Sequence, residues 1–213
     1  MDNLPIKRAL LSVTDKTGLV DLARFLVEKG VELVSTGGTE KALKQAGLPV
    51  TPVSEVTGFP EILNGRVKTL HPFIHGGILA DKDNPEHVNT LQECKIRPFD
   101  CVVVNLYNFA AAAEKKANLR DLVEEIDIGG PCLLRASAKN FHSILVLPAV
   151  SHYAELMDMM SNNNGRVSLE FRKRMAVETF SLTSAYDNMI CEVLGKTSLS
   201  SLFFVKAVFI SLF

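Results

Sequence analysis

Arg66, Lys68, His71 and His75 crowd into one stretch, GFPEILNGRVKTLHPFIHGGIL, from Gly58 to Leu79. Two permanent cations and two imidazoles in such a segment could bind an anion, move protons or hold a metal. The stretch has too many Gly and Pro residues for one regular element, and too many apolar ones for a solvated linker. It is expected to be an ordered loop that brings cations to a ligand. His71 and His75 stand i,i+4, as a metal pair on a helix would. Pro72 disfavours a regular helix there, however, and no H-E-x-x-H carboxylate accompanies them. Hydrogen-bonded loop histidines are the simpler reading, and no metal is expected.

Two further loops could meet those cations. SVTDKTG carries Lys16, and STGGT supplies backbone N–H groups at the start of a helix, where phosphate binds well. Neither is a G-x-G-x-x-G or a G-x-x-x-x-G-K-[ST] motif, and TGGT alone could be a plain tight turn. Three cations, Lys16, Arg66 and Lys68, converging on exposed N–H groups would suit a phosphate monoester better than a neutral ligand. Asp127 and Lys139 bracket a GGP break. By composition alone they read as a surface carboxylate and a helix-end lysine interacting with the dipole. Tyr107 reads equally as a packed aromatic with a wet hydroxyl. No G-x-S-x-G nucleophile elbow occurs, so the sequence gives little reason to expect covalent hydrolysis.

The elements that must position these residues alternate. Arg8 to Val13 reads as a buried strand, and Gly18 to Lys29 as a helix with Leu19, Leu22, Ala23, Leu26 and Val27 on one face. Val31 to Ser35 is a second strand, Glu40 to Gln45 begins a second helix, and Pro49 to Val53 is a third strand. Later come a helix from Asn84 to Glu93, the strongest strand from Phe99 to Asn105, and a helix from Leu119 to Ile126. Pro131 suits the first turn of a helix through Lys139. A strand over Ser143 to Leu147, a helix over Tyr153 to Met160, a loop at SNNNG and one long helix from Ser168, its N-cap, to Leu194 complete the pattern. Alternation of this kind predicts an α/β fold, with a parallel sheet between helices and ligands beyond the carboxyl ends of the strands.

Composition narrows the classes. The chain has 213 residues, 47% hydrophobic and 22% charged, with a formal net charge of −1. That is an ordinary globular balance, with no overall field for nucleic acid or an anionic membrane. Four separated cysteines without a C-x-x-C pair, and an N-terminus without signal-peptide features, lead to an expectation of reduced thiols in the cytoplasm. Leu199 to Phe213 is almost wholly apolar but is shorter than the ~20 residues a spanning helix needs, so no membrane anchor is expected.

With these residues assembled, the sequence resembles a known family. SVTDKTGL, STGGT, GFPEILNGRVKTLHP, NLY, IDIGG and LLRASAKN occur in the order expected of the IMP cyclohydrolase domain. That domain is the N-terminal part of the bifunctional AICAR transformylase/IMP cyclohydrolases of de novo purine synthesis. The resemblance covers roughly residues 8 to 195. It implies a methylglyoxal-synthase-like fold, three-layer α/β/α with a mostly parallel sheet. It implies ring closure of 5-formamidoimidazole-4-carboxamide ribotide (FAICAR) to IMP with loss of water, and no metal or organic cofactor.

By the same resemblance the nucleotide is held around Ser12, Thr14, Asp15 and Lys16, around Ser35, Thr36, Gly37, Gly38 and Thr39, and by Arg66, Val67 and Thr69. Asn105, Ile128 and Gly129 complete the binding set. Lys139 is implied as the proton-transfer group, with Lys68, Tyr107 and Asp127 around the reacting atoms. The pattern fades near Gly195, which implies a cyclohydrolase domain over 1–196, an apolar tail over 197–213, and no transformylase domain. A homodimer and a separate AICAR transformylase are then the protein partners to expect. Rival expectations on the same fold are methylglyoxal synthase itself, a ligand-sensing module, or an inactive remnant.

Overall fold

The computed structural model describes residues 2–107, 109 and 119–196. The apolar tail expected over 197–213 lies outside the described residues. The first strands are β1, Asn3–Pro5, and β2, Arg8–Val13, followed by helix α1, Leu19–Glu28. Next come β3, Glu32–Ser35, α2, Gly37–Gln45, β4, Thr51–Pro52, and α3, Val53–Thr57. After a loop follow α4, Pro72–Leu79, α5, Pro85–Glu93, and β5, Cys101–Asn105. The second half holds α6, Leu119–Glu124, α7, Gly129–Lys139, β6, Leu145–Leu147, α8, Tyr153–Asn162, β7, Arg166–Ser168, and α9, Leu169–Lys196.

The central sheet has five parallel strands in the order β4-β3-β2-β5-β6. From β2 the chain steps outward through β3 and β4 and then crosses back to β5 and β6. Right-handed crossovers therefore put the helices of the outward steps and those of the return steps on opposite faces. Helices α1, α2 and α8 pack on one face, and α4, α7 and α9 on the other. Both faces being covered, a central strand can be apolar without alternation. Val102, Val103 and Val104 of β5 are all buried, as are Leu10 and Leu11 beside them in β2. The expected three-layer α/β/α architecture is what the chain adopts.

Two local expectations differ from the structure. The stretch Gly58–Leu79 is not one loop, because its last part is α4 with Pro72 in the first turn. Proline at that position forfeits no hydrogen bond, since the first-turn N–H has no intrahelical partner anyway. His71 precedes it as the N-cap, its Nδ1 accepting from the Phe73 N–H at 3.2 Å. Second, Asn3–Pro5 pairs antiparallel with Arg166–Ser168, so the loop at Asn162–Gly165 turns into a short strand. Three-residue strands with a non-local partner leave no periodicity to read. Ser168 does cap α9, its Oγ accepting from the Phe171 N–H at 3.2 Å.

Candidate active site

The carboxyl ends of β2, β3 and β5 open into a cleft of about 880 Å³. Three walls build it. The first is the turn after β2, which Asn105 at the end of β5 holds in place. The Asn105 Oδ1 accepts from the N–H groups of Thr14 at 2.8 Å and Asp15 at 3.0 Å, while its Nδ2 donates to the Asp15 carbonyl at 2.8 Å. Thr39 ties α2 to the same strand end. It accepts from the Val13 N–H and donates to the Val13 carbonyl, both at 2.9 Å. Ser35 is fully buried and donates to the Leu11 carbonyl at 2.7 Å, so it serves the sheet. Asp15 accepts from the Thr17 N–H at 2.9 Å, a bond that holds its carboxyl below the usual carboxylate range.

The STGGT segment is the beginning of α2, with Gly37 at φ +57°. A Cβ on Gly37 would stand 3.4 Å from the Lys68 Nζ, and one on Gly38 would stand 3.7 Å from the Lys16 Nζ. Two ammonium groups thus close over a helix N-terminus, whose first N–H groups have no intrahelical acceptor. Lys16 is braced there by the carbonyls of Val13 and Thr14, at 3.4 and 3.3 Å. TGGT is thus the first turn of a helix beneath two cations, and not a free-standing tight turn.

The second wall is the lobe from Glu61 to Thr69. Ile62 and Val67 bridge across it, and Leu63, Asn64 and Gly65 all have positive φ. The Asn-Gly pair tolerates this conformation, whereas a leucine there carries local strain. The lobe presents Arg66 and Lys68. Arg66 forms a two-pronged pair with the Glu124 carboxylate of α6, both side chains being more than half exposed. Lys68 lies 3.9 Å from Glu61 and also lines a neighbouring depression of about 700 Å³ between α2 and Phe59–Glu61.

The third wall runs from Val123 to Gly130. Asp127 caps α7, its Oδ1 accepting from the Gly130 N–H at 3.0 Å. Its backbone N–H donates to the Tyr186 hydroxyl at 2.9 Å. A Cβ on Gly130 would fall 2.2 Å from the Asp127 Oδ2, so any larger residue would push the carboxylate off its seat. A second helix N-terminus, Gly129–Gly130, therefore borders the cleft with a carboxylate seated upon it. Tyr107, two residues beyond β5 and 39% exposed, stands at the same edge.

Of the residues expected from the sequence, Ser12, Thr14, Lys16, Thr36, Gly38, Thr39, Arg66, Val67, Lys68, Thr69, Asn105, Tyr107, Asp127, Ile128 and Gly129 line one cleft. Asp15, Ser35 and Gly37 are not among its lining residues, although Gly37 opens α2 beside the Lys68 ammonium. Lys139 is not brought in. It is exposed at the opposite end of α7, about 15 Å of helix from Gly129. The next residue, Asn140, anchors that end by donating to the carbonyls of Ile78 and Ala80, at 2.7 and 3.0 Å. Sequence reasoning missed Glu124 and Tyr186. The acidic pair Glu124-Glu125 just before IDIGG was a visible signal for the first; nothing local pointed to the second. Among the described residues no cluster of His, Cys, Asp and Glu could hold a metal ion. None of the described helices is long and apolar enough to cross a membrane.

Comparison with known proteins agrees with this architecture. Residues 18–132 match the model of the MGS-like domain, and residues 137–209 that of the AICARFT/IMPCHase bienzyme. The chain is 52% identical over 190 residues to the bifunctional purine biosynthesis protein PurH of Rhodospirillum rubrum, covering 89% of this chain and 36% of that protein. It is 53% identical over 189 residues to the protein of the same name from Clostridium acetobutylicum, covering 89% and 38%. The chain thus spans little more than a third of these curated relatives. The crystal structure of ForH superposes with a TM-score of 0.79 at 31% identity, covering 89% of this chain and 97% of that one. With the parallel sheet, the glycine turn and the two helix N-termini at one cleft, the chain belongs to the MGS-like domain family.

Proposed function

We propose that this cleft is the active site of an IMP cyclohydrolase, which closes FAICAR to IMP with loss of water. The observation that carries the reading is the pairing of two unlike ends in one cleft. Lys16 and Lys68 stand over the N-terminus of α2, and Tyr107 and Asp127 stand at the N-terminus of α7. A ribotide is likewise a molecule of two ends, a phosphate dianion and an uncharged heterocycle. The relatives named as bifunctional purine biosynthesis proteins support the same chemistry.

In the reaction the carboxamide nitrogen attacks the formyl carbon on the neighbouring ring substituent. A C–N bond forms, the carboxamide nitrogen and the formamido nitrogen each give up one proton, a C=N bond forms to the latter, and the formyl oxygen leaves as water. Proximity is built into the substrate, so the protein's task is to select the rotamer that faces the two groups and to move protons. Lys16, Lys68 and the amides at Gly37–Thr39 hold the phosphate in this reading. Arg66 joins them by exchanging Glu124 for the phosphate, an exchange that costs little because the pair is exposed. Asp127 accepts from the carboxamide N–H, Tyr107 protonates the departing oxygen, and the α7 amides stabilise negative charge on it. Lys139, at the far end of its helix, has no part in a mechanism run by one chain. The reading includes a transformylase-type activity upstream to install the formyl group, and self-association as a homodimer is consistent with the exposed Val177 and Phe180 on α9.

The test is direct. The purified chain is incubated with FAICAR and IMP is followed by absorbance. Turnover is expected, and Lys68→Ala should lower kcat/KM by about 100-fold, the scale of losing one well-placed charge-assisted contact. A folded chain that binds IMP but forms none would make it a ligand-sensing module instead.

A further inference from the structure

We propose that Tyr186 is a positioning residue for the reacting end of the cleft, a role that rests on the cyclohydrolase reading. Tyr186 lies in the second half of α9, 59 residues downstream of Asp127, and only 4% of it is exposed. Its phenol oxygen accepts the Asp127 backbone N–H at 2.9 Å. It does not belong to the main core. With Phe109, Leu119 and Leu122 it forms a second apolar cluster, against which Met189, Ile190 and Val193 pack. Its ring meets that of Phe109 edge-on, with centroids 6.4 Å apart.

The consequence concerns how the third wall is held. Immediately before it, Leu119 and Leu122 of α6 are rooted in this small cluster. At its other end Asp127 is held at two points, by Tyr186 through its backbone and by the Gly130 N–H through its carboxylate. The first bond places the main chain, and the second can then aim the carboxylate over α7. Burial pushes the Tyr186 hydroxyl above its ordinary pKa, so it stays a neutral acceptor beside a carboxylate. Tyr186 never reaches the cleft lining, and it acts through Asp127. A displacement of about 1 Å in a reacting group can slow turnover about 100-fold.

The experiment compares Tyr186→Phe with Met189→Ala. The first removes only the phenol oxygen, while the second thins the same cluster and leaves the hydrogen bond. Hydrogen exchange at the Asp127 amide, kcat and KM on FAICAR, and melting temperature are measured for each. Tyr186→Phe should speed exchange at Asp127 and lower kcat by about 10- to 100-fold, with KM changed less than about threefold. Met189→Ala should lower the melting temperature while keeping kcat within about threefold of the parent. An unchanged Asp127 exchange rate in Tyr186→Phe would overturn the proposal, as would a Met189→Ala variant equally slow in turnover. Should the parent chain form no IMP, that failure counts against the cyclohydrolase reading alone. The exchange rate at Asp127 then decides whether Tyr186 holds the wall.

Discussion

The two edges of the central sheet use the same residue types to opposite ends. At the amino ends of the strands, the buried Arg8 donates to the Glu32 carboxylate at 3.2 Å and to the Arg97 carbonyl at 2.9 Å, and lies over the Phe99 ring at 4.5 Å. Glu32 also pairs with Arg97. Asp100 accepts from the N–H groups of Lys7 and Arg8 and from the Lys82 Nζ, at 2.8, 2.9 and 2.5 Å. At the carboxyl ends, Lys16 and Lys68 hang over a glycine turn, held by little more than two backbone carbonyls and a distant Glu61. Charge matched by the chain itself organises the fold; charge left facing open space is what a ligand can use.

That contrast can be broken by experiment. The largest effect is expected at the matched edge. Asp100→Ala leaves the Lys82 ammonium, which is 14% exposed, with only the Phe99 carbonyl at 2.8 Å and no counter-charge, and should cost about 3–5 kcal/mol in urea unfolding. Nucleotide affinity of the folded fraction should be unchanged, and a parallel loss of affinity would mean that the edges are not independent.

Next is Gly130→Ala, whose new methyl would collide with the Asp127 carboxylate. Turnover on FAICAR is expected to fall about 100-fold, some 2.7 kcal/mol of transition-state stabilisation, with a far smaller change in melting temperature. A variant that keeps parental turnover would show that Asp127 can move without consequence.

Asn105→Ala tests whether the first wall is shaped from within the chain. It removes the acceptor for two N–H groups and should cost about 1–3 kcal/mol of stability. It should also weaken IMP binding, which calorimetry can follow; loss of stability with full affinity would separate Asn105 from the cleft.

The smallest effect belongs to Glu124→Gln. It frees Arg66 from an exposed partner, so inorganic phosphate should bind a few-fold tighter, within about 1 kcal/mol, in a titration at low salt. Weaker phosphate binding would show that Glu124 orients Arg66 toward the anion instead of competing with it.

Much of the fold was legible because its signals are local. The apolar run Cys101–Val104, the helical face Leu19, Leu22, Ala23 and Leu26, and the Gly-rich turns between them each report on a few adjacent residues. The site was legible to the extent that it sits at strand ends, as Thr14, Thr36 and Asn105 do. Lys139 shows where that reasoning stops. It shares a motif with Asp127, yet α7 is a straight rod that carries the two apart at about 1.5 Å per residue. Ser35 and Asn105 show the reverse limit, since their polar side chains answer the hydrogen-bonding needs of the backbone.

By itself, then, the amino-acid order determined the alternation of strands and helices, the glycine turns and the cations beside them, since periodicity and turn chemistry act over a few residues. Only the tertiary structure decided which charges find partners, which helix ends face the cleft, and that a tyrosine near the end of the chain holds Asp127. Those outcomes depend on contacts between segments far apart in sequence, which no local pattern encodes.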